Sequence, residues 1–108
     1  LTIYCQAQQL EFQHYSLEDG LSQTTVYDII RDRQGFMWFA TEDGLNRFDG
    51  YEFKVFKHDP LDSTTIAGNI ILCLLEDAAG MVWIGTSKGL CQYNQQTETF
   101  MRYTNSSA

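Results

Sequence analysis

Few side chains in this sequence stand at spacings that could do covalent or acid–base chemistry. His14 and His58 are far apart, and neither is joined by a cysteine, aspartate or second histidine at a metal-ligand spacing. The acidic pairs Glu18-Asp19, Glu42-Asp43 and Glu76-Asp77 are chain neighbours at turns, whereas paired hydrolytic carboxylates converge across a cleft. Cys5, Cys73 and Cys91 fit neither a disulfide framework nor a CxxC metal pattern. Cys73 and Cys91 sit in apolar stretches and are expected to act as small buried hydrophobes. No GxSxG, HExxH, P-loop or GxGxxG string occurs. The segment is therefore expected to hold no catalytic residue, metal or cofactor and to be no enzyme by itself. What remains is hydrogen-bonding chemistry at turn tips, so the elements that carry the turns must be found.

The chain has 108 residues, enough for one small domain with a modest core. Fourteen acids against seven scattered bases give a net charge of −7. That balance disfavours nucleic acid and an anionic membrane surface as partners. No apolar run is long enough to span a bilayer. Residues 1–7 (LTIYCQA) read either as the tail of a secretory signal peptide, with Cys5 and Ala7 as the small residues before the cut, or as a short edge strand.

The dominant feature is an internal repeat. Sliding residues 26–48 by 45 positions aligns Asp32 with Asp77, Gly35 with Gly80, Trp38 with Trp83, Thr41 with Thr86, Gly44 with Gly89 and Leu45 with Leu90. Both tryptophans of the chain fall in one register. An aromatic-x-x-aromatic element follows each copy, as FKVF (53–56) and FMRY (100–103), and precedes the first as FQHY (12–15).

Each copy reads as four short strands: Val26–Asp32, Phe36–Ala40, Leu45–Phe48 and Phe53–Lys57, then Ile71–Asp77, Met81–Gly85, Leu90–Tyr93 and Phe100–Tyr103. Gly turns and the Asp-Gly hairpin signal punctuate the first copy, and Phe36–Ala40 is apolar throughout, as a strand buried on both faces should be. A helix through Leu21–Ile30 or Ile66–Leu75 is the competing reading. The run Ile70–Leu75 is too evenly apolar for a surface helix.

Four antiparallel strands at this period describe an all-β propeller built from blades. The expected division is 1–7 signal-peptide tail, 8–16 an N-terminal strand that closes the ring of the full propeller, 17–57 blade one, 58–104 blade two and 105–108 tail. Trp38, Trp83, Leu45 and Leu90 are expected in the blade-to-blade core, with Gly35, Gly80, Gly44 and Gly89 at the turns.

Strand order places Thr41–Gly44, Thr86–Gly89 and the longer connections Leu17–Thr25 and Asp59–Asn69 on one face. Candidate ligand contacts there are Glu42, Asp43, Asn69, Ser87 and Lys88, although each taken singly reads first as a solvated turn residue. With neighbouring blades missing, the outer faces of both blades and the edge of the N-terminal strand are expected to be bare, and the chain to self-associate through those faces or that strand.

The strings VYDIIRDRQGFMWFATEDGLNRFDG and ILCLLEDAAGMVWIGTSKGLCQYN resemble the two-component regulator propeller repeat, D-x-x-G-x-[LIVM]-W-[IF]-[GA]-T-x-x-G-L-x-x-[FY]. Ala40 departs from the glycine common at that position, which Gly85 retains. The resemblance implies the periplasmic region of a hybrid two-component sensor histidine kinase of Bacteroidetes type, anchored in the inner membrane. It further implies an oligosaccharide input and a phosphorelay output onto polysaccharide-utilisation genes. A protein-interaction propeller without a small-molecule input, or a piece of a propeller enzyme, are the alternatives.

Overall fold

In the computed structural model, which describes residue 21 and residues 25–103, every regular element is a strand. Strands β1 (Val26–Arg31), β2 (Met37–Thr41), β3 (Gly44–Phe48) and β4 (Phe53–Phe56) pair in chain order as one antiparallel sheet. Strands β5 (Ile71–Glu76), β6 (Val82–Thr86), β7 (Gly89–Asn94) and β8 (Thr99–Tyr103) form a second sheet in the same order. The two sheets fall within 17–57 and 58–104. The stretch considered for a helix is strand from Ile71 onward. Residues 1–20, the front strand among them, and 104–108 lie outside the described residues, as do Cys5 and His14.

The repeated letters are explained by repeated bonds. Asp32 Oδ1 accepts from the amides of Gln34 and Phe36 while its Oδ2 accepts from the Trp38 indole at 2.8 Å. Asp77 does the same with Ala79, Met81 and Trp83, the last at 2.9 Å. One carboxylate thus folds the β1–β2 turn and fixes a tryptophan six residues on. At the other end, the Thr41 hydroxyl donates to Gly44 O and accepts from Asp43 N, and Thr86 repeats this with Gly89 and Lys88. The hairpin requires glycine at position 44, where φ is +111° and a Cβ would lie 3.2 Å from Phe56 O.

Both first strands carry a bulge at the same place, Val26/Asp28 and Ile71/Cys73. The sheets pack along these strands, and Asp28 Oδ2 accepts from Leu74 N at 2.9 Å. Between the sheets lies the main core, with Trp38, Leu45 and Phe56 facing Val82, Ile84, Tyr93 and Phe100. The Trp38 ring meets Tyr93 edge-on at 4.9 Å and stacks on Phe56 at 6.0 Å.

Three expectations need correction. Trp83 and Leu90 are not buried: they sit on the far face of the second sheet, which no other sheet among the described residues covers, and Leu90 is 43% exposed. Cys73 shares that face and is exposed, so only Cys91 among the described cysteines is a buried hydrophobe. The far face of the first sheet, in contrast, is not bare. Met37 and Phe39 are buried in a second cluster with Leu21 and Ile29, and the Phe48 and Phe53 rings fold over it.

Candidate functional site

The turn tips at the β2–β3 end were expected to carry any ligand contacts, and the fold gathers them around the segment between the sheets. Gly44 N donates to Asn69 O at 2.6 Å, and Ser87 N donates to Ile70 O at 3.0 Å. Both hairpin tips are therefore pinned to consecutive residues of one connecting strip. This brings Glu42, Asp43, Asn69, Ser87 and Lys88 to one end of the molecule.

Their side chains are differently engaged. Glu42 is exposed and accepts from the Tyr27 hydroxyl at 3.3 Å. Asp43 pairs with Lys57 at 2.9 Å. Asn69 Oδ1 accepts from His58 N at 2.7 Å, so this side chain shapes the connection. Lys88 and Ser87 are exposed. The Lys88 stem lies over Gly68, where a Cβ would come within 2.9 Å of it. The His58 ring binds Ile66 O through Nδ1 at 2.7 Å, a packing role.

Sequence reasoning missed two residues at this end. The bulges turn Tyr27 and Leu72 out of the regular alternation, leaving them 50% and 47% exposed on the inner strands. Bulges commonly re-aim a side chain in this way. No spacing in the sequence signals them. The Tyr27 phenol is pushed up from its ordinary pKa by partial desolvation and by the Glu42 carboxylate beside it.

A crevice of about 250 Å³ opens at the opposite end, between the two aspartate turns. Phe36, Trp38, Met81 and Tyr93 line its floor, and Arg33, Gln34, Glu76 and Gln95 its rim. The rim is closed on itself: Arg33 N donates to Glu76 Oε2 at 3.0 Å, and its guanidinium donates to Ala78 O at 2.7 Å. The amides of Gln34 and Gln95 bond each other. This end works as a polar seam between sheets, whereas the hairpin end offers exposed donors and acceptors beside one phenol. Among the described residues no three His, Cys, Asp or Glu side chains are grouped to hold a metal ion.

Comparison with known proteins agrees with the repeat. Residues 20–43 and 65–88 match the family described as "Two component regulator propeller", one match in each of the two units. Histidine kinase P4 of Formosa agariphila is 43% identical over 67 residues, which are 62% of this chain and 5% of that protein. The extracellular domain of the hybrid two component system BT3049 of B. thetaiotaomicron superposes with a TM-score of 0.75 at 39% identity, over 83% of this chain and 13% of that one. The extracellular domain of BT4673 from the same organism gives 0.64 at 26% identity, over 73% and 11%. The chain thus spans a small part of each of these relatives.

Proposed function

We propose that these two propeller repeats belong to the extracellular, periplasmic sensor region of a hybrid two-component histidine kinase anchored in the inner membrane. The observation that carries this reading is the 39% identity, with a TM-score of 0.75, to the extracellular domain of a hybrid two component system. The ligand class we infer is an oligosaccharide, and the output control of polysaccharide-utilisation genes. Supporting the ligand class is the hairpin end, where the exposed Glu42 bonds the half-exposed Tyr27 and the tip of the second hairpin exposes Ser87 and Lys88. Hydroxyl-rich ligands are held by such acceptors and donors, with an aromatic face for the sugar ring.

The test is a saccharide-binding screen on the complete extracellular region. Saturable binding to at least one oligosaccharide is expected, weakened by E42Q or Y27A. A region that binds no saccharide yet still dimerises would favour the second reading, a protein-interaction propeller. What speaks for that second reading is the engagement of Asp43 and Asn69 within the fold.

A further inference from the structure

The two sheets do not present the same chemistry to the neighbour that follows them. In the first sheet, Arg47 stands opposite Trp38 and Lys54 opposite Arg47. The Arg47 guanidinium lies 4.6 Å from the centre of the Phe36 ring, donates to Tyr93 Oη at 2.7 Å and pairs with Glu98 at 3.1 Å. Lys54 pairs with the same carboxylate. Glu98 has φ +57°, the one non-glycine residue with positive φ among the described residues. Such a conformation persists where surrounding contacts hold it. The Arg47 side chain is only 13% exposed, so the second sheet covers a cation and supplies the phenol and carboxylate that match it.

In the second sheet, the same register positions hold Gln92, opposite Trp83, and Met101, opposite Gln92. Gln92 accepts from the Tyr103 hydroxyl at 3.2 Å, and Tyr103 packs on Trp83 at 5.3 Å. Where the first sheet offers two cations, the open face of the second offers an amide and a thioether.

We propose that these faces are keyed by charge. The repeat that seats on the first sheet must bring a hydroxyl and a carboxylate, as the second sheet does with Tyr93 and Glu98. The repeat that seats on the open face of the second sheet carries no carboxylate at those places and meets Gln92 and Met101 with apolar or neutral groups. The inference rests on the propeller reading, in which another four-stranded repeat covers that face. Its physical basis is the cost of burying an unmatched charge. Repeats of one design offer nearly interchangeable faces, and wrong pairing is their characteristic failure. An ionic joint beside a neutral one penalises the wrong order.

The experiment is thermal unfolding of the full-length protein carrying substitutions on each face. Q92R/M101K places two cations on the open face, and Q92M is its apolar control. The expected result is a midpoint several degrees lower for Q92R/M101K, with Q92M close to wild type. A Q92R/M101K protein that melts at or above the wild-type temperature overturns the proposal, because its neighbour then supplies a matching carboxylate. L90D separates the two layers of the argument. If L90D is as harmless as a surface change, no repeat covers the face and the propeller reading itself fails. If L90D destabilises while Q92R/M101K does not, only the charge rule fails. On the first sheet, R47Q/K54M is expected to lower the midpoint more in the wild-type background than in E98Q. Equal losses in both backgrounds would remove Glu98 from the key.

Discussion

Asp32 and Asp77 each hold a turn and an indole at once, which explains why a string rich in aromatics builds structure before it binds anything. The Asp77 carboxyl lies below the usual carboxylate range, chiefly because the Trp83 indole donates to it, with the Met81 amide adding to the effect. A carboxyl depressed in the folded state contributes stability that is fully present above its unfolded value, near pH 4. That contribution is lost as the pH falls through the folded value. Asp77→Asn is therefore expected to flatten the acid limb of a thermal-midpoint profile below about pH 5. A residual slope should remain from Asp49, Asp62 and Glu98, which are depressed by their own hydrogen bonds. An unchanged limb would mean that the Asp77 bonds are not part of the folding equilibrium. A second pair shows how the repeats have diverged. Gly85 faces Cys73, whose Sγ would lie 2.6 Å from a Cβ added at Gly85, while Ala40 faces Asp28 in the first copy. Gly85→Ala is expected to cost about 1–3 kcal/mol by overpacking, and Cys73→Ala should recover most of it. Denaturant unfolding of the single and double variants measures the coupling.

The strands themselves were readable because their cues are local. Apolar runs, Asp-Gly at 43–44 and the glycines at 35 and 80 placed all eight strands within a residue or two of their observed ends. Burial of Met37, Trp38, Phe39 and Ala40 followed from their unbroken apolar run, while Thr41 is buried by its hydroxyl's bonds in the hairpin. The alternating burial of β6 did not follow from its equally apolar run, because among the described residues no sheet covers its far face. The bulges at Tyr27 and Leu72 were also invisible, since a bulge changes pairing without changing composition. Of the expected ligand contacts, the sequence placed all five at one end, yet gave no sign that Asp43 and Asn69 already have partners within the fold. Those partners are set by Lys57 and His58, which come from the connection between sheets. Glycine positions offer a test at this scale. Gly44 and Gly50 both have positive φ, but only Gly44 is crowded by backbone, at Phe56 O. Either change to alanine should cost about 1–3 kcal/mol from the dihedral alone. Gly44→Ala should cost more than Gly50→Ala, and equal losses of stability would show that the close approach relaxes freely.

At the scale of the whole molecule, the two sheets differ in what their far faces meet. The first sheet buries Phe39 and Met37 beneath Leu21 and neighbouring rings. The second leaves Leu75 61%, Met101 59% and Tyr103 41% exposed around the half-buried Trp83. On the sheet preceding it, the positions of Trp83 and Leu90 are filled by the fully covered Trp38 and Leu45. The open face is thus a finished interface without its other half. Leaving some 500 Å² of apolar surface in water would forgo on the order of 12 kcal/mol at about 25 cal/mol/Å², an upper bound because unfolded chains already bury part of that area. Even a fraction of this is large beside the stability of a small domain. We therefore propose that the 108-residue chain, expressed alone, self-associates through this face rather than through the covered face of the first sheet. Light scattering at increasing concentration should show a mass above that of the monomer, and L75E/L90E should return it to monomer without loss of strand content by circular dichroism. The matching change on the other sheet, V55E, lies away from the open face and should leave the association intact. A folded, monodisperse wild-type monomer at high concentration would refute the proposal. Association abolished by V55E but untouched by L75E/L90E would instead assign it to the first sheet.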